Sequence, residues 1–185
     1  MSTVAKRLSV AQYEAMIENG ILPESNRWEL INGKLVEKMT KGGKHSASSE
    51  RSWRAIHALL PAGWHVRIEK PVRIPRRRSE PEPDVSVARG SVDDYEGHPG
   101  PSDVALVVEV AESSVAKDRR LARVYGGGGI PVYWLVNIPD RQLEVYTGGA
   151  CTILGATESV GVVIDGQVVG TIAVASLLPR SRGGA

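Results

Sequence analysis

Two short stretches place acids where acids are crowded or costly. In "SEPEPDVSVARG", Ser79 to Gly90, three acids stand at alternate positions, Glu80, Glu82 and Asp84, and the last runs directly into a β-branched strand. An extended segment throws alternate residues onto one face, and the interleaved prolines keep it extended because the residue before a proline is pushed out of the helical region. The three carboxylates are therefore expected to be presented on one face rather than buried. In "VALVVEVA", Glu109 interrupts a nearly continuous apolar run, where an unpaired carboxylate would cost several kcal/mol. It needs a partner. If its strand lies beside that of Asp84, the two carboxylates converge on one divalent cation, and oxygen-only ligation of this kind suits Mg²⁺ or Mn²⁺. Such an ion stabilises phosphoryl charge and lowers the pKa of a bound water. The structural alternative is a buried Glu109 paired to an arginine from the neighbouring basic segments.

Those segments bracket the acids. Arg67 to Arg78 holds Arg67, Lys70, Arg73, Arg76, Arg77 and Arg78 against Glu69 alone, whereas Glu80 to Glu112 holds nine acids and one arginine. Lys117, Arg119, Arg120 and Arg123 then restore positive charge against Asp118. An acidic centre with a basic rim is what a metal-dependent enzyme acting on a polyanion requires, since cations must collect at the centre and phosphates at the rim. Solvated charged faces are the plainer reading of any single run.

The elements that must position these residues are an α/β set. "LSVAQYEAMIENG" reads as a helix with a Ser9/Gln12 capping box and a stop at Gly20. "RWELINGKLVEKM" reads as a hairpin turning at Asn32-Gly33, and a second helix is expected over roughly Lys44 to Leu60. "WHVRIEKPVRIP" gives one or two short strands, "DVSVA" another, and Val104 to Val110 a strand buried on both faces. A short helix over "SSVAKDRRLARVY", capped by Ser113 or Ser114, leads to the buried strand "PVYWLVN"; strand, helix, strand at this spacing implies a parallel crossover. Gly126 to Gly129, which lack the Lys-Ser or Lys-Thr sequel of a phosphate loop, are expected to stop that helix and form a flexible turn. "RQLEVYT" should pair back as a hairpin, and a last β pair should turn at Asp165-Gly166. The fold expected is a mixed β-sheet flanked by helices.

At 185 residues, 42% apolar and 24% charged, the chain suits one domain over 1–185 with flexible tails at 1–7 and 180–185. No window approaches the roughly 18 to 20 apolar residues of a membrane helix, and the single cysteine, Cys151, has no internal disulfide partner. A cytoplasmic protein with no membrane partner is expected. His57, His65 and His98 lack zinc-ligand spacing, and Tyr133 and Trp134 belong to the core.

"PEPD", then "LVVEVAESS", then a short basic helix and "YGGGGIPVYWLVN", together with the opening "RWELINGKLVEKM", resemble the Uma-type restriction endonucleases, a branch of the PD-(D/E)XK nuclease superfamily. The resemblance runs from Leu8 to about Pro179. It implies a restriction-endonuclease-like core, Asp84 and Glu109 as magnesium ligands, and a homodimer. It also implies a Mg²⁺-dependent endonuclease hydrolysing DNA, double-stranded DNA in particular, with Glu29 as the extra acid that many such nucleases place near the metal. The superfamily's lysine two residues after the second acid is Ala111 here, and the Uma-type position on the following helix is Leu121. Lys117, one turn before Leu121, is the nearest replacement, with Arg120 the rival. Arg76, Arg77, Arg78 and Arg119 are expected to hold nucleic-acid phosphates, and His45, opening the second helix, to reach one. With the usual lysines replaced, the competing function is a lapsed nuclease fold that binds nucleic acid or a protein partner.

Overall fold

The computed structural model describes residues 7–22 and 28–180, so the expected tails fall outside the described residues apart from Arg7 and Arg180. Helix α1 (Val10–Glu18) starts at Ser9, whose hydroxyl accepts from the Gln12 backbone while the Gln12 side chain accepts from the Ser9 N–H, closing the capping box. Strands β1 (Trp28–Ile31) and β2 (Lys34–Glu37) form a separate hairpin. Its turn needs two left-handed residues, and Asn32 (φ 49°) with Gly33 (φ 77°) provides them. Helix α2 (Gly43–His57) ends three residues before the expected limit at Leu60.

The main sheet runs β3 (Trp64–Ile68), β4 (Val85–Arg89), β5 (Val104–Ala111), β6 (Val132–Asn137), β7 (Gln142–Thr147) and β8 (Ala150–Gly155) in spatial order. Only β5 and β6 are parallel, joined through α3 (Val115–Gly128) as the strand-helix-strand pattern requires. The last strands, β9 (Ser159–Ile164) and β10 (Gln167–Ala173), pair through an Asp165-Gly166 turn and form their own two-stranded sheet. With α2 and α4 (Val174–Leu177) they cover one face of the main sheet, packing Ile56, Val160, Ile172 and Leu177 against Val85, Val108 and Trp134. Helix α3 covers the other face, setting Leu121, Val124 and Tyr125 against Val107, Ala111, Tyr133 and Leu135. Among the described residues no helix is long and apolar enough to cross a membrane.

The glycine run differs from expectation. Gly126 to Gly128 belong to α3, and only Gly129, at φ 107°, ends it. The small size of Gly127 and Gly128 serves packing against a 3-10 turn, Pro75–Arg77, and its preceding residue: a Cβ at Gly128 would lie 2.2 Å from Cγ2 of the fully buried Ile74. Gly128→Ala should therefore destabilise the protein by about 1–3 kcal/mol through overpacking. Gly126→Ala, with nothing within 4 Å, should instead add a few tenths to about 1 kcal/mol of helix preference. Urea titrations of the two variants check this; equal effects would remove the packing explanation.

Candidate active site

Strand β4 pairs antiparallel with β5, Val85 opposite Val108, so the register carried one residue further sets Asp84 opposite Glu109. Val85 and Val108 point to the α2 side, so the alternating Asp84 and Glu109 point toward α3. Because β4 begins at Val85, the N–H of Val110 lacks a strand carbonyl, and Asp84 Oδ2 accepts it at 2.7 Å. The carboxylate thereby substitutes for a rung of the sheet and is fixed in place. Its other partners are Lys41 Nζ, 2.7 Å from Oδ1, and His45 Nε2, 3.1 Å from Oδ2. Burial opposes charge on Asp84, but His45 and Lys41 outweigh it and hold the group below the usual carboxylate range.

Glu109 stands in the opposite condition. Burial first, then the charges of Asp84, Asp118 and Glu29, push its carboxyl well above the ordinary glutamate range, and the Tyr125 hydroxyl, donating to Oε1 at 2.8 Å, only partly offsets them. Among the described residues no arginine reaches it; its side-chain partner is the Tyr125 hydroxyl, not the arginine considered from sequence. Glu29 accepts from the Glu82 N–H at 2.9 Å and, mainly through burial, is also raised. Asp118, 6% exposed, accepts from the Ser114 hydroxyl and is raised chiefly by burial. Ser114 thus sits at the start of α3 without making a capping bond, because its hydroxyl is turned to Asp118.

These groups line one cavity of about 300 Å³. Seven acids face three lysines (38, 41 and 117) and one histidine there, an excess of negative charge that attracts a cation. Among the described residues no three His, Cys, Asp or Glu side chains close into a ready-made metal cage. The donor set nevertheless fits a hard cation held by two carboxylates with positions left for water and phosphate oxygen, as Mg²⁺ prefers, and not a nitrogen- and sulfur-rich zinc site.

Sequence reasoning brought Asp84, Glu109, Glu29, His45 and Lys117 to this cavity, and the structure places all five there. His45 differs in detail, its ring being committed to Asp84. Other expectations are corrected. Glu82 and Asp84 both line the cavity, but Glu80 does not share their face: it pairs by its N–H with Leu30 O and turns its carboxyl to Glu14 and His98, where burial and then Glu14 raise it to about 7. Glu82 takes Lys38 at 2.5 Å. Glu80 and Asp84 are buried, 3% and 2% exposed, not presented to solvent. Arg120 does not turn inward; it is exposed and its Nε donates to Ala116 O of its own helix. Arg119 lies across α3 from the acids and is bonded to Glu144, Nη2 to Oε1 at 2.7 Å and Nε to Oε2 at 3.0 Å. Arg76, Arg77 and Arg78 do not line the acidic cavity, and Arg77 lies beside the glycine end of α3. Lys41 and Asp118 were missed. The lysine-rich "EKMTKGGKH" was the available signal for the first, and the helical spacing of 118, 121 and 125 for the second.

An acid immediately before β4 opposite one on β5, with a helix crossover to a parallel β6, defines a restriction-endonuclease-like fold. A crystal structure described as a putative nuclease belonging to DUF820, from Anabaena variabilis ATCC 29413, is similar with a TM-score of 0.71 at 18% identity, over 92% of this chain and 97% of that one. The chain belongs to the Uma2 family, described as "Putative restriction endonuclease", whose model matches residues 10–164. No curated protein matches the chain.

Proposed function

We propose that the protein is a Mg²⁺-dependent endonuclease that hydrolyses phosphodiester bonds in DNA, with Mn²⁺ an acceptable substitute. The observation that supports this most directly is the placement of Asp84 and Glu109 at opposite positions of neighbouring strands, aimed into one acidic cavity. Both would hold the ion, which when bound supplies positive charge to phosphoryl oxygens and acidifies water. The Val110 N–H orients Asp84 and the Tyr125 hydroxyl orients Glu109, so neither ligand must be ordered on binding. Lys117, entering from α3, would offset charge developing on the phosphate, a task that needs no bond in the resting protein. Glu29 borders the same cavity, where it adds to the field that draws the cation.

Titration calorimetry with Mg²⁺ and Mn²⁺ tests the metal step. Wild type should bind either ion and Asp84→Ala should bind neither; absence of binding to wild type at millimolar ion would overturn the proposal. A second reading, a lapsed nuclease that binds nucleic acid without cutting it, draws on the burial of Ala111 and Leu121, apolar side chains at both lysine positions of the superfamily. Metal and DNA binding without cleavage would favour it.

A further inference from the structure

The flank of α3 turned away from the acids borders a second cavity, of about 880 Å³, between the helix, the Pro75–Arg77 turn and the turn joining β7 to β8. Arg77, Arg119 and Arg123 line it and, among the described residues, no acidic residue does. Their states differ. Arg119 is anchored by Glu144, a carboxylate 1% exposed; burial works against its charge, but bonds from Arg119, Asn137 and Tyr146 prevail and hold it at about 2. Arg77 and Arg123 have no ion-pair partner among the described residues, and the buried Nε of Arg77 donates to nothing. A buried donor left unpaired is destabilising unless something supplies its acceptor. Glycines keep the walls open: Gly126, Gly127 and Gly129 on one side, Gly148 and Gly149 on the other. A Cβ at Gly127 would come within 3.4 Å of Cζ and Nε of Arg77, so that glycine makes room for the guanidinium.

We propose that this cavity is an exosite for phosphate groups, those of the nucleic-acid strand whose scissile phosphate lies in the acidic cavity. The strand reading rests on the nuclease function above; the anion site itself does not. Two guanidinium groups without an ion-pair partner among the described residues, beside a third held in place by Glu144, suit oxyanions that accept in plane. A helix is about 10–12 Å across with its side chains, so a backbone engaged on one flank of α3 has later phosphates within reach of the other. Arg120, exposed on α3 between Lys117 and Arg123, lies along that path.

Binding of a labelled single-stranded oligonucleotide, and separately of tripolyphosphate, should be measured in EDTA, where no cleavage occurs, for wild type, Arg123→Gln and Arg77→Gln/Arg123→Gln. The double variant should bind the oligonucleotide at least roughly tenfold more weakly, and the slope of log affinity against log salt should flatten by about 0.7 per lost contact. Arg123→Gln, at an exposed side chain without bonds, should show part of the same change with an unaltered melting temperature. Wild-type affinity and slope in both variants would overturn the exosite even if the protein cleaves DNA. Arginine-dependent oligonucleotide binding in a protein that never cleaves would uphold the exosite while the nuclease reading fails. Arginine-dependent binding of tripolyphosphate without any of the oligonucleotide would overturn the strand as ligand in favour of a small phosphate compound.

Discussion

Asp84→Asn and Glu109→Gln should each lower metal-dependent cleavage by on the order of a thousandfold or more, since either change removes a ligand charge from a site with two. Their effects on the metal-free protein should diverge. Glu109 faces Asp84, Asp118 and Glu29 with the Tyr125 hydroxyl in support, and its carboxyl is held well above the ordinary range. Above the glutamate pKa of the unfolded chain, the unfolded state has lost this proton while the folded state keeps it. Stability therefore falls as pH rises through that window. Glu109→Gln removes the loss, so the metal-free variant should melt above wild type at neutral pH and match it below the unfolded glutamate range. Asp84 is lowered by His45 and Lys41 and supports the Val110 N–H, so Asp84→Asn should melt below wild type. Cleavage assays and thermal scans in EDTA at several pH values read both. Wild-type turnover in either variant would contradict the ligand assignment, and a Glu109→Gln protein less stable at neutral pH would contradict the electrostatic account.

Lys117→Ala should reduce turnover by on the order of a hundredfold while metal affinity stays nearly unchanged, because its charge acts on the phosphate rather than on the ion. Arg120→Ala should leave turnover close to wild type, its guanidinium being spent on Ala116 O at the surface. A rival cation lies inside the cavity. Lys41 contacts Asp84 and Glu69 at 2.7 and 2.8 Å, where burial disfavours its charge but both carboxylates more than restore it. If Lys41→Ala carries the loss in kcat and Lys117→Ala does not, the role belongs to Lys41. Single-turnover kinetics beside metal titration separates the two.

The features legible in the sequence were those with a local cause. The Ser9/Gln12 box, the Asn32-Gly33 and Asp165-Gly166 turns and the continuous apolar run of β5 each declare themselves within a few residues. Glu109 was conspicuous because the cost of a buried acid does not depend on knowing its neighbours. Strand β8 was not foreseen: its first four residues are exposed, so it carries no inward-outward alternation, although Gly148-Gly149 marked the turn before it. The lysine-rich stretch around Lys41 marks it as a candidate cation, but nothing local names its partner, an acid 43 positions away. For Arg119, the bond to Glu144 was not foreseen either. Its partner Glu144 is itself an acid interrupting a strand, and the logic applied to Glu109 would have found it in "QLEVY".

Strands β4 and β5 are joined by Gly90 to Asp103, at the far end of the hairpin from Asp84 and Glu109. Five residues of strand, about 17 Å at 3.3–3.4 Å per residue, separate that connection from the acids. Change in the exposed part of the connection is thus insulated from the chemistry. Lengthening a surface loop costs little closure entropy, each doubling adding only about 0.6 kcal/mol. The exposed Glu96-Gly97 part of this connection is where an insertion or a tag should be tolerated, whereas Pro99, buried and with its carbonyl bonded to the Arg73 N–H, should not be displaced.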